Sequence, residues 1–114
     1  MSVKPVVRRS RADQDILEAV EHYLQDAGER TALRFVDAIE KAFLHIARHP
    51  ASGSPRHALE LELPGLRCWP VKRFPHLVFY VEHDDRIDVW RVLHGQRDIP
   101  AWLRSDRGEK NRGS

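Results

Sequence analysis

The sequence contains one cysteine, Cys68, in 114 residues. A lone thiol excludes an internal disulfide and a paired-cysteine metal knuckle. It suits a reducing compartment, so a cytoplasmic location is expected. No stretch approaches the roughly 18 consecutive apolar residues that a membrane-spanning helix needs, so no membrane partner is expected. The first ten residues carry charge with no apolar run behind it, and no secretory leader is expected. There are only six glycines. None falls in a G-x-G-x-x-G or phosphate-loop pattern, and H-E-x-x-H is missing too. Nucleotide-dependent enzyme classes are thereby disfavoured, and no cofactor or metal is expected. Charge of one sign is also scarce, with 19 basic side chains against 17 acidic ones. The last eleven residues, Arg104 to Ser114, hold four cations and two carboxylates, so residues 1–103 sum to zero. The chain is not a general polyanion binder, and any basic surface must come from local sorting of charge.

What is present is ordinary for a globular protein: 41% apolar and 32% charged residues. The length allows one domain, expected over residues 1–103, followed by a disordered polar tail at 104–114. Arginine outnumbers lysine, which occurs only at positions 4, 41, 72 and 110. Arginine is the better residue for bidentate contacts to carboxylate or phosphate.

Residues 4–9 read as a short strand. Ser10 and Asp13 make a capping-box-like helix start. Ile16, Val20, Tyr23, Leu24 and Ala27 then recur at helical spacing, with Asp13, Asp15, Glu18 and Glu21 mostly off that face. Gly28 breaks the helix. Ala32, Phe35, Val36, Ile39, Phe43 and Ile46 define a second helix with the clearest period in the chain. Two amphipathic helices joined so tightly pack as a hairpin. Pro50 and Gly53 open a loop to about Arg56.

From there the period falls to two. Residues 58–62 alternate weakly, with Leu59 and Leu61 against Glu60 and Glu62. Residues 66–72 read as a strand that Pro70 assigns to an edge or bulge. Residues 76–82 form the most hydrophobic stretch and are expected in the centre of a sheet. His83 to Arg86 make a hairpin turn. Ile87, Val89, Arg91 and Leu93 are expected on one face of the final strand, and Asp88, Trp90 and Val92 on the other. The fold class is therefore α+β, in the order β-α-α-β-β-β. An antiparallel sheet carries the N-terminal helical hairpin on one face. The other face is expected to lie open, with Trp69, Tyr80 and Trp90 decorating it. Aromatics and arginines on an uncovered face suggest a partner surface, with Arg91 and Trp102 as further candidates.

Three segments carry a resemblance. The run PGLRCWPVKRFPHLVFY from Pro64 to Tyr80, RVLHGQRD from Arg91 to Asp98, and HPASG from His49 to Gly53 are similar to stretches of ParE-type toxins. These belong to the RelE/ParE superfamily of type II toxin–antitoxin modules. The resemblance runs from about residue 5 to residue 100. It implies the same β-α-α-β-β-β fold. It also implies neutralisation by a cognate, ParD-like antitoxin in a possible hetero-oligomer, with operator DNA contacted only through that antitoxin. RelE-like members are ribosome-dependent mRNA endonucleases. ParE-like members poison DNA gyrase and are linked to plasmid stabilisation.

Ribonuclease chemistry needs a base, an acid and positive charge beside the phosphorane. Arg67, Arg73, His94 and Arg97 are the residues that would supply them, with His94 moving the proton. The nuclease branch commonly carries a further Tyr or His near its C-terminus. Beyond His94 this chain has neither, and Trp102 has no acidic proton to give. The ParE-like reading is therefore preferred. A gyrase inhibitor acting by protein–protein binding comes first, with an endoribonuclease or a non-toxic module that keeps antitoxin binding as alternatives. More ordinary roles are also open. His94 can order its own loop, and Arg67 and Arg91 can pair with Glu62 or Asp88 across strands. His45 and His49 have metal-compatible spacing but no third ligand, and Cys68 reads as a half-buried structural thiol.

Overall fold

The computed structural model describes residues 3–95. Its elements are β1 (Val6–Arg8), α1 (Ser10–Ala27), α2 (Glu29–Arg48), a 3-10 turn (Pro50–Ser52), α3 (Arg56–Leu61), β2 (Leu66–Pro70), β3 (His76–Glu82) and β4 (Ile87–His94). The four strands lie in the order β1-β4-β3-β2. β3 is central, as its hydrophobicity predicts, and β2 ends on Pro70 at the edge. β2, β3 and β4 are antiparallel, but β1 pairs parallel with β4, Val6 opposite Ile87. The sheet is thus mixed rather than wholly antiparallel. The helical hairpin returns the chain to the far side of the sheet, and β1 fills the edge that β4 leaves.

The two long helices are separated by Gly28 alone, at φ 91°. A side chain there would face the left-handed penalty. α2 buries Ala32, Phe35, Ile39, Ala42, Phe43 and Ile46. Of these, Phe35, Ile39, Ala42, Phe43 and Ile46 pack with Val78, Tyr80, Ile87, Val89 and Val92 of the sheet. α1 buries less. Only Ala12 is fully enclosed, Ile16, Val20 and Tyr23 are half-buried, and Leu24 is exposed. Ser10 is not a cap, because the helix begins from Arg9 with no side-chain bond. Asp13 accepts instead from Arg8 Nε at 2.6 Å.

The sheet's second face departs from expectation. Residues 56–61 are helical, not a loop running into an alternating strand. Leu59 points to solvent at 84% exposure while Leu61 is buried. Ala58, Leu61 and the following Leu63 form one apolar edge. They pack on Leu66, Cys68, Phe79 and Leu93. The chain's own α3 therefore covers part of the face expected to be open. Three intervals of about 100° bring Ala58 and Leu61 together, a spacing that short windows confuse with alternation.

Alternation also fails in β4. The register slips between Phe79 and Tyr80, whose partners are Arg91 and Val89, so Trp90 is the extra residue of a bulge. Ile87, Val89 and Val92 consequently share the helix-facing core, and Leu93 packs on the opposite side.

Candidate partner-binding surface

Two of the partner-binding candidates are interior. Tyr80 has no exposed surface. Its hydroxyl donates to Pro50 O at 2.7 Å and accepts from Gly53 N–H at 3.1 Å. It ties the loop after α2 onto the sheet. Burial pushes its pKa up, against the Gly53 bond and the Arg67 charge that lower it. Arg91 is 2% exposed. Its Nε and one terminal nitrogen both reach the Asp15 carboxylate at 2.8 Å. Asp15 also accepts the Val92 N–H at 2.9 Å. Asp15, expected mostly off the apolar face of α1, points in to meet Arg91. Neither Tyr80 nor Arg91 offers itself to a partner.

Trp90 is half-buried beside the sheet edge formed by β1. Its Nε1 donates to Asp88 Oδ2 at 3.2 Å, and the Arg9 guanidinium lies 4.4 Å from its ring centroid. Arg9 also donates twice to Asp88, at 3.0 and 3.1 Å, and His83 approaches the same carboxylate at 3.3 Å. Burial raises the Asp88 pKa. The Arg9 hydrogen bonds and charge, with hydrogen bonds from His83 and Trp90, outweigh it and hold the group below its ordinary value.

The remaining nuclease candidates are dispersed. Arg67 donates to Gly53 O at 2.8 Å and Ala51 O at 3.1 Å, so it fastens the same loop as Tyr80. His94 closes β4, its ring centroid 5.4 Å from that of His76 in an edge-on arrangement. Arg67 pairs with Tyr80, and His94 with His76, across β3. At ~3.3 Å per residue and ~4.8 Å per strand, their Cα atoms are roughly 16 Å apart. Arg73 is exposed in the turn between β2 and β3, at φ 71°. Arg97 and Trp102 lie outside the described residues. Cys68 is buried, and burial raises its thiol pKa, opposed by the Arg56 charge. No group of three or more metal-ligating side chains occurs among the described residues. His45 and His49 do meet, at 5.2 Å between rings, but His45 is engaged by Ser52 and Trp69.

The surface that does stand ready lies elsewhere, between α2 and the end of β2. It is a groove of ≈ 810 Å³. Arg34, Ala38, Lys41 and His45 line it from α2 at helical spacing. Trp69, Lys72, Arg73 and Phe74 line it from β2 and the turn that follows. Trp69 is half-buried, its ring stacked on His45 with centroids 3.9 Å apart and planes at 14°. Phe74 forms part of the floor, edge-on to Phe35 and Tyr23. Lys41 pairs with Asp37 at 2.9 Å. Arg34, Lys72 and Arg73 have no ion pair or hydrogen bond among the described residues. Sequence reasoning picked Trp69, Lys72 and Arg73 without joining them into one site, and missed Arg34 and Phe74. Phe74 lies between the two strands in sequence, and no short-range pattern joins it to α2.

Residues 6–99 match the family described as "ParE toxin of type II toxin-antitoxin system, parDE". Among solved structures, a chain described as "Chromosomal ParDE TA system from P. aeruginosa" is similar in fold. Its TM-score is 0.68 at 20% identity, over 81% of this chain and 96% of that one. No curated protein matches the sequence.

Proposed function

The chain belongs to the ParE family of type II toxin–antitoxin toxins, and from that premise we propose that it disables DNA gyrase by protein–protein binding. A cognate, ParD-like antitoxin holds it inactive by covering its surface. Operator DNA is contacted only through that antitoxin. The similar chain from P. aeruginosa comes from a ParDE system, which supports a toxin that works as one half of a pair.

The observation that carries this reading is the groove beside α2, with its apolar floor and three cations that have no partner among the described residues. Such a surface suits macromolecular docking. Among the described residues, those that ribonuclease chemistry would need do not converge in the same way. Arg67 spends its donors on loop carbonyls, and His94 sits two strands away. The alternative of a non-toxic module separates from the main reading by growth alone.

The test is induction in cells with plasmid supercoiling and transcript integrity scored in parallel. Growth arrest with lost supercoiling and intact transcripts is the expected result. Cleaved transcripts with normal supercoiling would replace the proposal by the endoribonuclease reading. Normal growth would leave only the antitoxin-binding role.

A further inference from the structure

We propose that the outer face of the helical layer, the side of α1 and α2 turned away from the sheet, docks a second copy of this chain. The two hairpins meet about a two-fold axis that runs along the helices, so α1 of each copy lies over α2 of the other. The inference does not depend on the cellular target.

The first observation is four leucines outside the core. Leu17 and Leu24 on α1, and Leu33 and Leu44 on α2, have 46% to 61% of their surface exposed. None belongs to either core cluster. At ~100° per residue, each pair falls within ~20° of a single line along its helix. The α2 line lies roughly 140° round from the mean direction of Phe35, Ile39, Ala42, Phe43 and Ile46, and the α1 line roughly 100° round from Ala12, Ile16, Val20 and Tyr23. Single exposed leucines are ordinary, but two parallel lines of them on one face form a patch.

The second is level. The helices run in opposite directions from Gly28, so distance along the chain from Gly28 sets the height of a residue on either helix. Leu24 stands four residues before Gly28 and Leu33 five after it. A two-fold axis along the helices keeps every height, so Leu24 of one copy meets Leu33 of the other. The contact is self-complementary and closes on itself as a four-helix bundle.

The third is charge, which selects this arrangement. On α1, Asp13, Asp15 and Asp26 are engaged by Arg8, Arg91 and His22. Glu18 and Glu21 have no ion pair among the described residues. On α2, Lys41 is engaged by Asp37, while Arg30, Arg34 and Arg48 have none. Glu21 lies seven residues before Gly28 and Arg34 six after it, so they stand level on the rim of the bundle. With α1 over α2, acid meets base. The other two-fold packing lays α1 on α1 and sets Glu18 and Glu21 against their own copies.

The contact is small. Helices of 18 and 20 residues are ~27 and ~30 Å long. Side by side they offer about 550 Å² per copy, about 1,100 Å² in all, at the low end for a specific interface. A Kd on the order of 10 µM is expected.

The experiment follows the purified full chain, free of antitoxin, by sedimentation velocity from about 1 to about 200 µM. The mass should rise from that of one chain to that of two. Leu33→Glu, at an exposed position, should weaken the dimer at least about tenfold, with the fold checked by circular dichroism. Leu59→Glu, exposed on α3, is the control and should change it by less than about twofold. Glu21→Arg and Arg34→Glu should each weaken the dimer about threefold or more, and the two together in one chain should restore it to within about twofold.

A monomer at every concentration would overturn the proposal and leave this face to a partner of another kind. A dimer unmoved by Leu33→Glu would place the second copy elsewhere. Loss of the dimer in both charge variants without restoration in the double variant would overturn the packing of α1 over α2.

Discussion

Replacing Asp15 by alanine should be among the most damaging single changes available in this fold. Asp15 has 10% and Arg91 3% of its side-chain surface exposed, so the pair is shielded from solvent. The carboxylate takes two bonds from Arg91 and a third from the Val92 backbone N–H. It pins α1 to the bulged part of β4. Truncation removes the pair and strands a backbone donor beside it. Breaking a buried ion pair from one side costs about 3–5 kcal/mol. The whole domain is held by roughly 6–17 kcal/mol, taking ~0.05–0.15 kcal/mol per residue. Urea denaturation followed by tryptophan fluorescence measures the loss. A cycle with Arg91→Ala isolates the pair, and the coupling should reach at least about 1.5 kcal/mol. A loss under about 1 kcal/mol for Asp15→Ala, or a coupling near zero, would refute the assignment of Asp15 as the clasp between helix and sheet.

Four further outcomes follow from other parts of the molecule. Tyr80→Phe removes both hydrogen bonds to the loop after α2 and should cost about 1–3 kcal/mol, with faster amide exchange at Gly53. Asp88 has its pKa depressed in the folded state, so its stabilisation is present above the unfolded value near 3.9 and fades as pH falls through the folded one. Asp88→Asn should therefore lose stability at pH 7 and lose less on acidification, which parallel denaturation at pH 7 and pH 3 would record. Arg73→Gly relieves the positive φ and should raise stability by about 1 kcal/mol, a gain that urea denaturation would measure. Cys68 is buried with its thiol pKa raised, so alkylation of the native protein at pH 8 should be far slower than in denaturant.

The parts of the fold that were legible in sequence are those where one period runs unbroken. α2 shows its buried stripe residue by residue, and β3 declares itself central by hydrophobicity. What escaped is wherever the period is interrupted or the partner is distant. A single extra residue at Trp90 inverted the expected facing of Val92 and Leu93. Six residues of α3 are too few to separate helix from alternating strand. Tyr80 looked like a surface aromatic because its polar tip has a use only once Pro50 and Gly53 fold over it. At the candidate surface, Trp69 was visible as a residue but not as a site. The groove exists only because the turn after β2 comes to rest beside α2.

The parallel strand β1 has a consequence for the order in which the molecule can be assembled. Val6 waits for Ile87, eighty-one positions later in synthesis. Until β4 emerges, the nascent hairpin of helices must carry its greasy stripe of Phe35, Ile39 and Phe43 without the sheet that belongs over it. Closure of so long a loop is slow compared with forming the helices themselves. A half-made chain is therefore a sticky but unfinished object, and the strand laid down first is among the last to lock.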